Sequence, residues 1–390
     1  MRVVKILKKG IVIYGEQELA IGTRYIMSDP VVDQINKISP RCARHVGEFE
    51  DFYKKLNVAD LKKGDKVFLF RSGGIGDIMF MLPLIKYLVE KYEVEMTVAT
   101  TLTYVSILQN NPFIKKIVIM PFLAEEMEDS DWHLMFEGII EQNEKARKVH
   151  AVNLFLQEAG IDDTLISPED KIPELFILEE EKKRIWRKFE KAGVAGDVKK
   201  IGIQIVASSP IRTFPIEKLV SVAEELVKQE YHIYLYGGPK QLVDADYMES
   251  ILEKNVYNLV GQRFSLRDSI IATSFMDLMI ASDSAFIHIA GALGIPLVGL
   301  YGCFPSPVRM LYYRNAIAID ASVACSPSFI HGHIPCKKGS PSPCFSVVDE
   351  KHVLDAAYHL LGVRDLSGEY PMYNEFRDGK PIKSILDHIG

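Results

Sequence analysis

From Lys66 onward, short apolar runs alternate with longer segments whose apolar positions recur every three or four residues. Val67–Phe70 reads as a strand, a glycine cluster follows, and the spacing over 78–91 predicts a helix. "EMTVAT" and "KKIVIM" read as further strands around a helical "YVSILQN", and residues 128–160 read as mostly helical up to Gly160. A stretch with Pro168 and Pro173 reads as an interdomain link, after which the alternation restarts. "KIGIQIVAS", "YHIYLYGG", "DLMIAS" and "PLVGLYG" are predicted strands. "PIEKLVSVAEELVKQ", "QLVDADYMESILEK", a segment from about Leu266 and "AFIHIAGALG" are predicted helices. Strands alternating with helices predict βαβ units on parallel sheets, here in two consecutive halves.

The first 60 residues break this rhythm. β-branched runs interrupted by Gly10, Gly15 and Gly22 predict a small β-rich appendage. The expected organisation is 1–60 appendage, 61–173 first α/β domain, 174–346 second α/β domain, and 347–390 a helix with a polar end. The fold class is α/β, with two Rossmann-like, doubly wound domains.

At 390 residues the chain is long enough for two or three domains. Composition is that of a globular protein, at 48% hydrophobic and 25% charged. A net charge of -6 speaks against nucleic acid as the main partner. No run approaches the roughly 18 apolar residues of a membrane span, and no signal-peptide core is seen, so the expected location is cytoplasmic, with at most peripheral membrane contact. Five cysteines in such a chain do not read as a disulfide scaffold.

The glycine cluster "RSGGIGDIMF" places Gly73, Gly74 and Gly76 outside the G-x-G-x-x-G spacing, which argues against a nicotinamide dehydrogenase. Asp77 follows directly, where a dinucleotide fold would seat a phosphate. In "ASDSAFIHIAGALGIP", Ser284 is placed to cap a helix whose first turn, with His288 on the same face, would suit a pyrophosphate. The plainer reading is a capped helix and a core histidine. In "ASSPIRTFPIEKL", Ser208, Ser209 and Arg212 sit where a phosphate could be held, or form a polar loop with one solvated arginine. Gly238 in "YGGPKQ" permits close backbone approach to a ligand, and equally a tight turn. All three loops fall at the carboxyl ends of predicted strands, where open α/β sheets bind ligands. Cys325, Cys336 and Cys344, with His331 or His333, could hold a structural zinc or iron, or be reduced thiols in a Pro/Gly-rich loop.

In order and spacing, "RSGGIGDIMFMLPLI", "ASSPIRTFPIEKL" and "SDSAFIHIAGALGIPLVGLYG" resemble glycosyltransferase family 9, the heptosyltransferase-like family, over about residues 65–360. The resemblance implies a GT-B architecture with the active site in a cleft between two domains. It implies inverting, metal-independent transfer from a nucleotide-sugar such as ADP-heptose to a hydroxyl acceptor, as in lipopolysaccharide synthesis. Asp77 would be the general base, and Ser72, Gly73, Gly74 and Gly76 the acceptor-side loop. Asp283, Ser284, Ala285 and His288 would contact the donor's sugar and phosphates. Ser208, Ser209, Arg212 and Gly238 would line the phosphate side, and Phe264 the nucleobase. Departures from the usual pattern stand at Arg212, Phe214, Lys240, Gln241 and Ala285, and Ser328 replaces a fourth cysteine. A nucleotide-sugar epimerase of the same fold and a catalytically inactive nucleotide-sugar-binding protein are the alternatives. The acceptor (glycan, lipid-linked or protein) and the oligomeric state are left open.

Overall fold

The computed structural model describes residues 1–8, 12–13, 17–48, 51, 53–194, 196–261, 264–321, 323–328, 336, 338, 343–366, 373–377 and 380–383. They divide into two compact units, Met1–Ile139 with Phe155–Asp163, and Ile140–Leu154 with Thr164–Gly390.

The first unit holds two four-stranded sheets. One is parallel, in the spatial order Trp132–Met135, Lys66–Phe70, Glu95–Thr100, Lys116–Ile119. Numbered along the chain, that order is 3-2-1-4 read from the Lys116–Ile119 edge. Its strand Lys66–Phe70 is buried on both faces from Val67 on, so it reads as a continuous apolar run and not as an alternation. The other sheet is antiparallel: Ala43–Glu48, Arg2–Ile6, Arg24–Met27 and Phe122–Leu123. Val3 and Ile26 from this sheet share one apolar cluster with Phe68, Phe70 and Phe122. Phe122 meets Phe68 and Phe70 at ring separations of 5.0 and 5.4 Å, so the amino-terminal strands are packed onto the parallel sheet.

Two expectations change here. The helix expected over 78–91 is two helices, Ile75–Phe80 and Leu82–Tyr92, broken at Met81. Pro83, in the first turn of the second, has no N–H to continue the preceding ladder. The stretch expected to be mostly helical before Gly160 contains the strand Trp132–Met135, with a helix only over Ala151–Glu158. Four residues are too few for a period to declare itself, and the strand is defined by its pairing with Lys66–Phe70.

The second unit is built on one eight-stranded sheet. Its six parallel strands are Lys200–Gln204, His232–Tyr236, Val256–Asn258, Leu278–Ser282, Leu297–Tyr301 and Ala316–Asp320. Their spatial order is 3-2-1-4-5-6 in chain numbering, the doubly wound dinucleotide-binding order. Tyr373–Arg377 and Lys380–Lys383 extend the far edge antiparallel, where a polar end was expected after the tail's helix. The helix Ile216–Lys228 covers one face, burying Leu219, Val222, Ala223 and Leu226. Its sequence has the period-3.6 stripe that such burial demands.

The helix Ala285–Ala292 approaches Tyr313 closely enough that a Cβ at Gly291 would stand 2.5 Å from the ring. Replacing Gly291 with alanine overpacks this contact. We expect Gly291→Ala to lower the unfolding free energy by about 1–3 kcal/mol, read by urea denaturation.

Candidate active site

In the first unit, the strand order reverses between Lys66–Phe70 and Trp132–Met135. The loops leaving these two strands therefore diverge, and a crevice opens at their carboxyl ends. Arg71, the residue after the first strand, spans it. Its Nη1 donates to Phe136 O at 2.8 Å and its Nε to Gly73 O at 3.1 Å. Its Nη2 donates to Asp77 Oδ2 at 2.5 Å. Asp77 sits in the first turn of Ile75–Phe80. Glu137, from the second strand's loop, accepts from Ser72 N at 2.5 Å and from Ser72 Oγ at 2.8 Å. The sequence-predicted Ser72, Gly73, Gly74, Gly76 and Asp77 thus form one loop and helix start. Arg71 and Glu137 were not anticipated. An arginine ending the apolar run "VFLFR" was the available signal for the first.

The second unit repeats the arrangement. Its order reverses between Lys200–Gln204 and Leu278–Ser282, and the loops beyond these strands carry Ser208, Ser209, Arg212, Asp283 and Ser284. Arg212 Nη2 donates to Ser208 Oγ at 2.5 Å, and Nη1 lies 3.6 Å from Asp283 Oδ2. Thr213 braces the first loop, donating to Ser209 O and accepting from Ala207 N. Phe214, buried against Phe345, ends it with its N–H on Ser282 Oγ. The structure therefore brings five of the predicted donor-side residues to one place.

Ser284 differs from expectation. It occupies the N-cap position of Ala285–Ala292, but its side chain makes no cap bond. Its Oγ donates instead to Gln204 Oε1 at 2.6 Å. This buried partner on the neighbouring strand wins the hydroxyl, so the helix's first-turn N–H groups are not capped by a side chain. Ala285 opens that helix.

His288 is buried, with Nδ1 2.9 Å from Tyr313 OH. Burial, followed by the charges of Arg309, His150 and Arg212, drives its pKa well below the ordinary histidine range. It is thus a neutral hydrogen-bonding group and not a cation for phosphate. Next to Tyr313, Tyr312 OH donates to Asn153 Oδ1 at 2.9 Å and its ring meets His150 edge-on at 4.4 Å. Burial pushes the His150 pKa down to about 3. Gln204, Tyr312 and Tyr313 are members of this network that local sequence did not reveal.

Three buried polar atoms near these loops have no hydrogen-bond partner among the described residues: Ser209 Oγ, Asp283 Oδ2 and Tyr301 OH. Asp283 and Tyr301 end adjacent parallel strands, since Asp283 N bonds Leu300 O. An unpaired buried polar group costs roughly 1–3 kcal/mol, so such a group usually marks a site that a ligand or water completes.

The remaining predicted residues stand elsewhere. The Gly238 N–H donates to Gln241 Oε1 at 2.8 Å. Phe264 makes its ring contact with Phe189 at 6.4 Å, under Lys188 Nζ at 4.5 Å, on the helix Glu179–Lys191. Cys325, Cys336 and Cys344 are free thiols. Cys344 is buried where a Cβ on Gly302 would come within 3.0 Å of its own. Among the described residues no group of three or more His, Cys, Asp and Glu side chains could hold a metal ion; His331 and His333 lie outside them. No helix among the described residues is long and apolar enough to cross a membrane.

This α/β architecture, with a parallel sheet in each unit, is that of solved GT-B heptosyltransferases. A glycosyl transferase family 9 structure from Veillonella parvula superposes with TM-score 0.65 at 18% identity, covering 80% of this chain and 100% of that one. Escherichia coli ADP-heptose lps heptosyltransferase II gives 0.60 at 17% identity, covering 76% and 98%. The iron-containing dodecameric glycosyltransferase TibC of enterotoxigenic E. coli gives 0.56 at 13%, covering 77% of each. In sequence, lipopolysaccharide heptosyltransferase 1 of Campylobacter coli is 21% identical over 271 residues, 66% of this chain and 77% of that protein. The profile of glycosyltransferase family 9 (heptosyltransferase) matches residues 142–336, half of the chain. The chain belongs to that family, and is a heptosyltransferase-like glycosyltransferase.

The buried histidines have a measurable consequence. Unfolded, each binds a proton near pH 6.5; folded, His150 does so only near 3. The unfolded state therefore binds more protons between these values, and stability falls as pH drops through that window. Each such histidine contributes a slope of about 1.4 kcal/mol per pH unit. Urea unfolding at pH 7 and pH 5 should show a decline that His150→Gln reduces by about one proton's slope.

Proposed function

We propose that the protein is an inverting glycosyltransferase that moves a heptose or related sugar from a nucleoside-diphosphate donor of the ADP-heptose kind to a hydroxyl acceptor. The observation that supports this most is the position of Ser208, Ser209, Arg212, Asp283 and Ser284 at the switch point of a 3-2-1-4-5-6 sheet. There the donor's diphosphate would meet the uncapped first turn of Ala285–Ala292 and the Arg212 guanidinium, both suited to an anion. The unpaired Ser209 Oγ and Tyr301 OH would gain partners from the donor's oxygens, and Asp283 Oδ2 from a sugar hydroxyl. His288, neutral, would act through hydrogen bonding alone, with Ala285 beside it at the helix start.

In the reaction, the acceptor oxygen forms a bond to the anomeric carbon from the face opposite the departing diphosphate. The bond from that carbon to the phosphate oxygen breaks, and its electron pair leaves with the nucleoside diphosphate. The acceptor's proton passes to the Asp77 carboxylate. A positioned base of this kind contributes about 10²–10⁴-fold. Transfer in this reading requires no metal, and no step is assigned to the cysteine segment. The acceptor class is a glycan, lipid-linked or protein hydroxyl.

The two groups of residues lie in different units, so the test separates them. Asp77→Asn should lower kcat, followed as ADP release from ADP-heptose, by about 10²-fold or more while leaving ADP affinity in calorimetry unchanged. Arg212→Ala should weaken ADP binding by roughly 10–100-fold, the loss of a charge-assisted contact. Normal turnover by Asp77→Asn, or undiminished ADP binding by Arg212→Ala, would defeat the respective assignment.

A further inference from the structure

The Arg71 side chain is only 4% exposed, whereas the Asp77 side chain that it meets is 19% exposed. The carboxylate thus reaches solvent while its counter-ion lies beneath it. Two backbone carbonyls, Gly73 O on one side of the crevice and Phe136 O on the other, fix the guanidinium plane before the carboxylate is considered. A planar group with five N–H donors can make all three contacts at once; an ammonium can not hold the same geometry. Gly74 completes the arrangement. Its φ is +81°, and a Cβ there would strike Asp77 Oδ2, so the carboxylate folds back over the loop only because position 74 has no side chain.

We propose that Arg71 is the positioning residue of the transfer reaction, holding the Asp77 carboxylate ionised and in a single rotamer over the glycine loop before the acceptor arrives. This rests on Asp77 being the base. An adjacent guanidinium and a helix N-terminus both favour the charged form of a carboxylate. A fixed direction matters as much as charge, because misplacement of a catalytic group by about 1 Å can cost 10²-fold. Glu137 is committed to Ser72. The short helix Val105–Leu108 packed on Ile75–Phe80 has no ionisable side chain, and Leu82–Tyr92 first presents a charge at Lys86. Arg71 meets the Asp77 carboxylate directly, at 2.5 Å.

The test uses full-length protein labelled with ¹³C at the aspartate carboxyl carbons, with Asp77→Asn identifying the Asp77 signal. In Arg71→Met, that signal should titrate at least about one pH unit higher than in the wild type. Arg71→Lys should fall between the two, since it restores charge but not the fork. Because any guanidinium this close holds the midpoint down, turnover is read as well: at a pH where Asp77 is fully ionised, kcat of folded Arg71→Met should fall by about 10²-fold, whereas an arginine serving only the fold would leave it in place. An unchanged midpoint in folded Arg71→Met, or in Arg71→Lys if the methionine variant does not fold, overturns the proposal. The base reading fails separately: if Asp77→Asn released ADP from ADP-heptose at the wild-type rate, Asp77 would not be the base, whatever the titration showed, and Arg71 would have no part in the reaction.

Discussion

The reversal of strand order is the constraint on which both functional regions depend. In each parallel sheet, the first strand in the chain has the second on one side and the fourth on the other. Connections from the two central strands must leave in opposite directions, so no loop covers the gap at their carboxyl ends. Arg71 to Asp77, Phe136, Glu137, Ser208, Ser209, Arg212, Asp283 and Ser284 are at the switch points because each lies one to eight residues past a strand that borders the reversal. The chemistry then differs between units. In the first, a buried cation and a half-buried anion are placed by backbone carbonyls. In the second, the cationic Arg212 shares its surroundings with the neutral His288 and with Asp283, whose Oδ2 lies 3.6 Å from it without a hydrogen bond.

That contrast has an energetic logic. Burying Arg71 is tolerable because its N–H groups are taken by two carbonyls and a carboxylate, leaving little of the desolvation penalty unmet. Ser209 Oγ and Tyr301 OH are buried without hydrogen-bond partners among the described residues. A binding surface that carries such unmet groups gains more from a ligand that satisfies them than one already saturated. The histidines avoid the same difficulty by giving up their charge.

Much of this was legible in the chain, for identifiable reasons. Glycine clusters, serine pairs and aspartates at strand ends are local signals, and they located Gly73, Gly74, Asp77, Ser208, Ser209, Arg212, Asp283 and Ser284 without knowledge of the fold. The partners of these residues were not legible. Phe136 O and Glu137 lie 65 positions from Arg71 and Ser72, and Gln204 lies 80 from Ser284. Such pairs are created by strand register, which no local pattern encodes. Ser284 shows the limit clearly: its type and position specified a cap, but a buried amide oxygen one strand away took its hydroxyl. Similarly, Trp132–Met135 is a strand through its neighbour and not through its own period.

The amino-terminal antiparallel sheet has a consequence for how the chain is made. Its first three strands emerge within the first 48 residues, but its fourth, Phe122–Leu123, is synthesised only after most of the parallel sheet. The same unit is completed still later by Phe155–Asp163, whose Glu158 pairs with Lys55 at 3.0 Å. Between those pieces the ribosome delivers Ile140–Leu154, which belongs to the other unit. A nascent chain therefore cannot finish its first unit and then begin its second, as tandem domains do. Val4 and Ile6 pack with early residues up to Ala43, but Val3 and Ile26 on the other face must wait for Phe68, Phe70 and Phe122, an interval in which a chaperone has the most to protect.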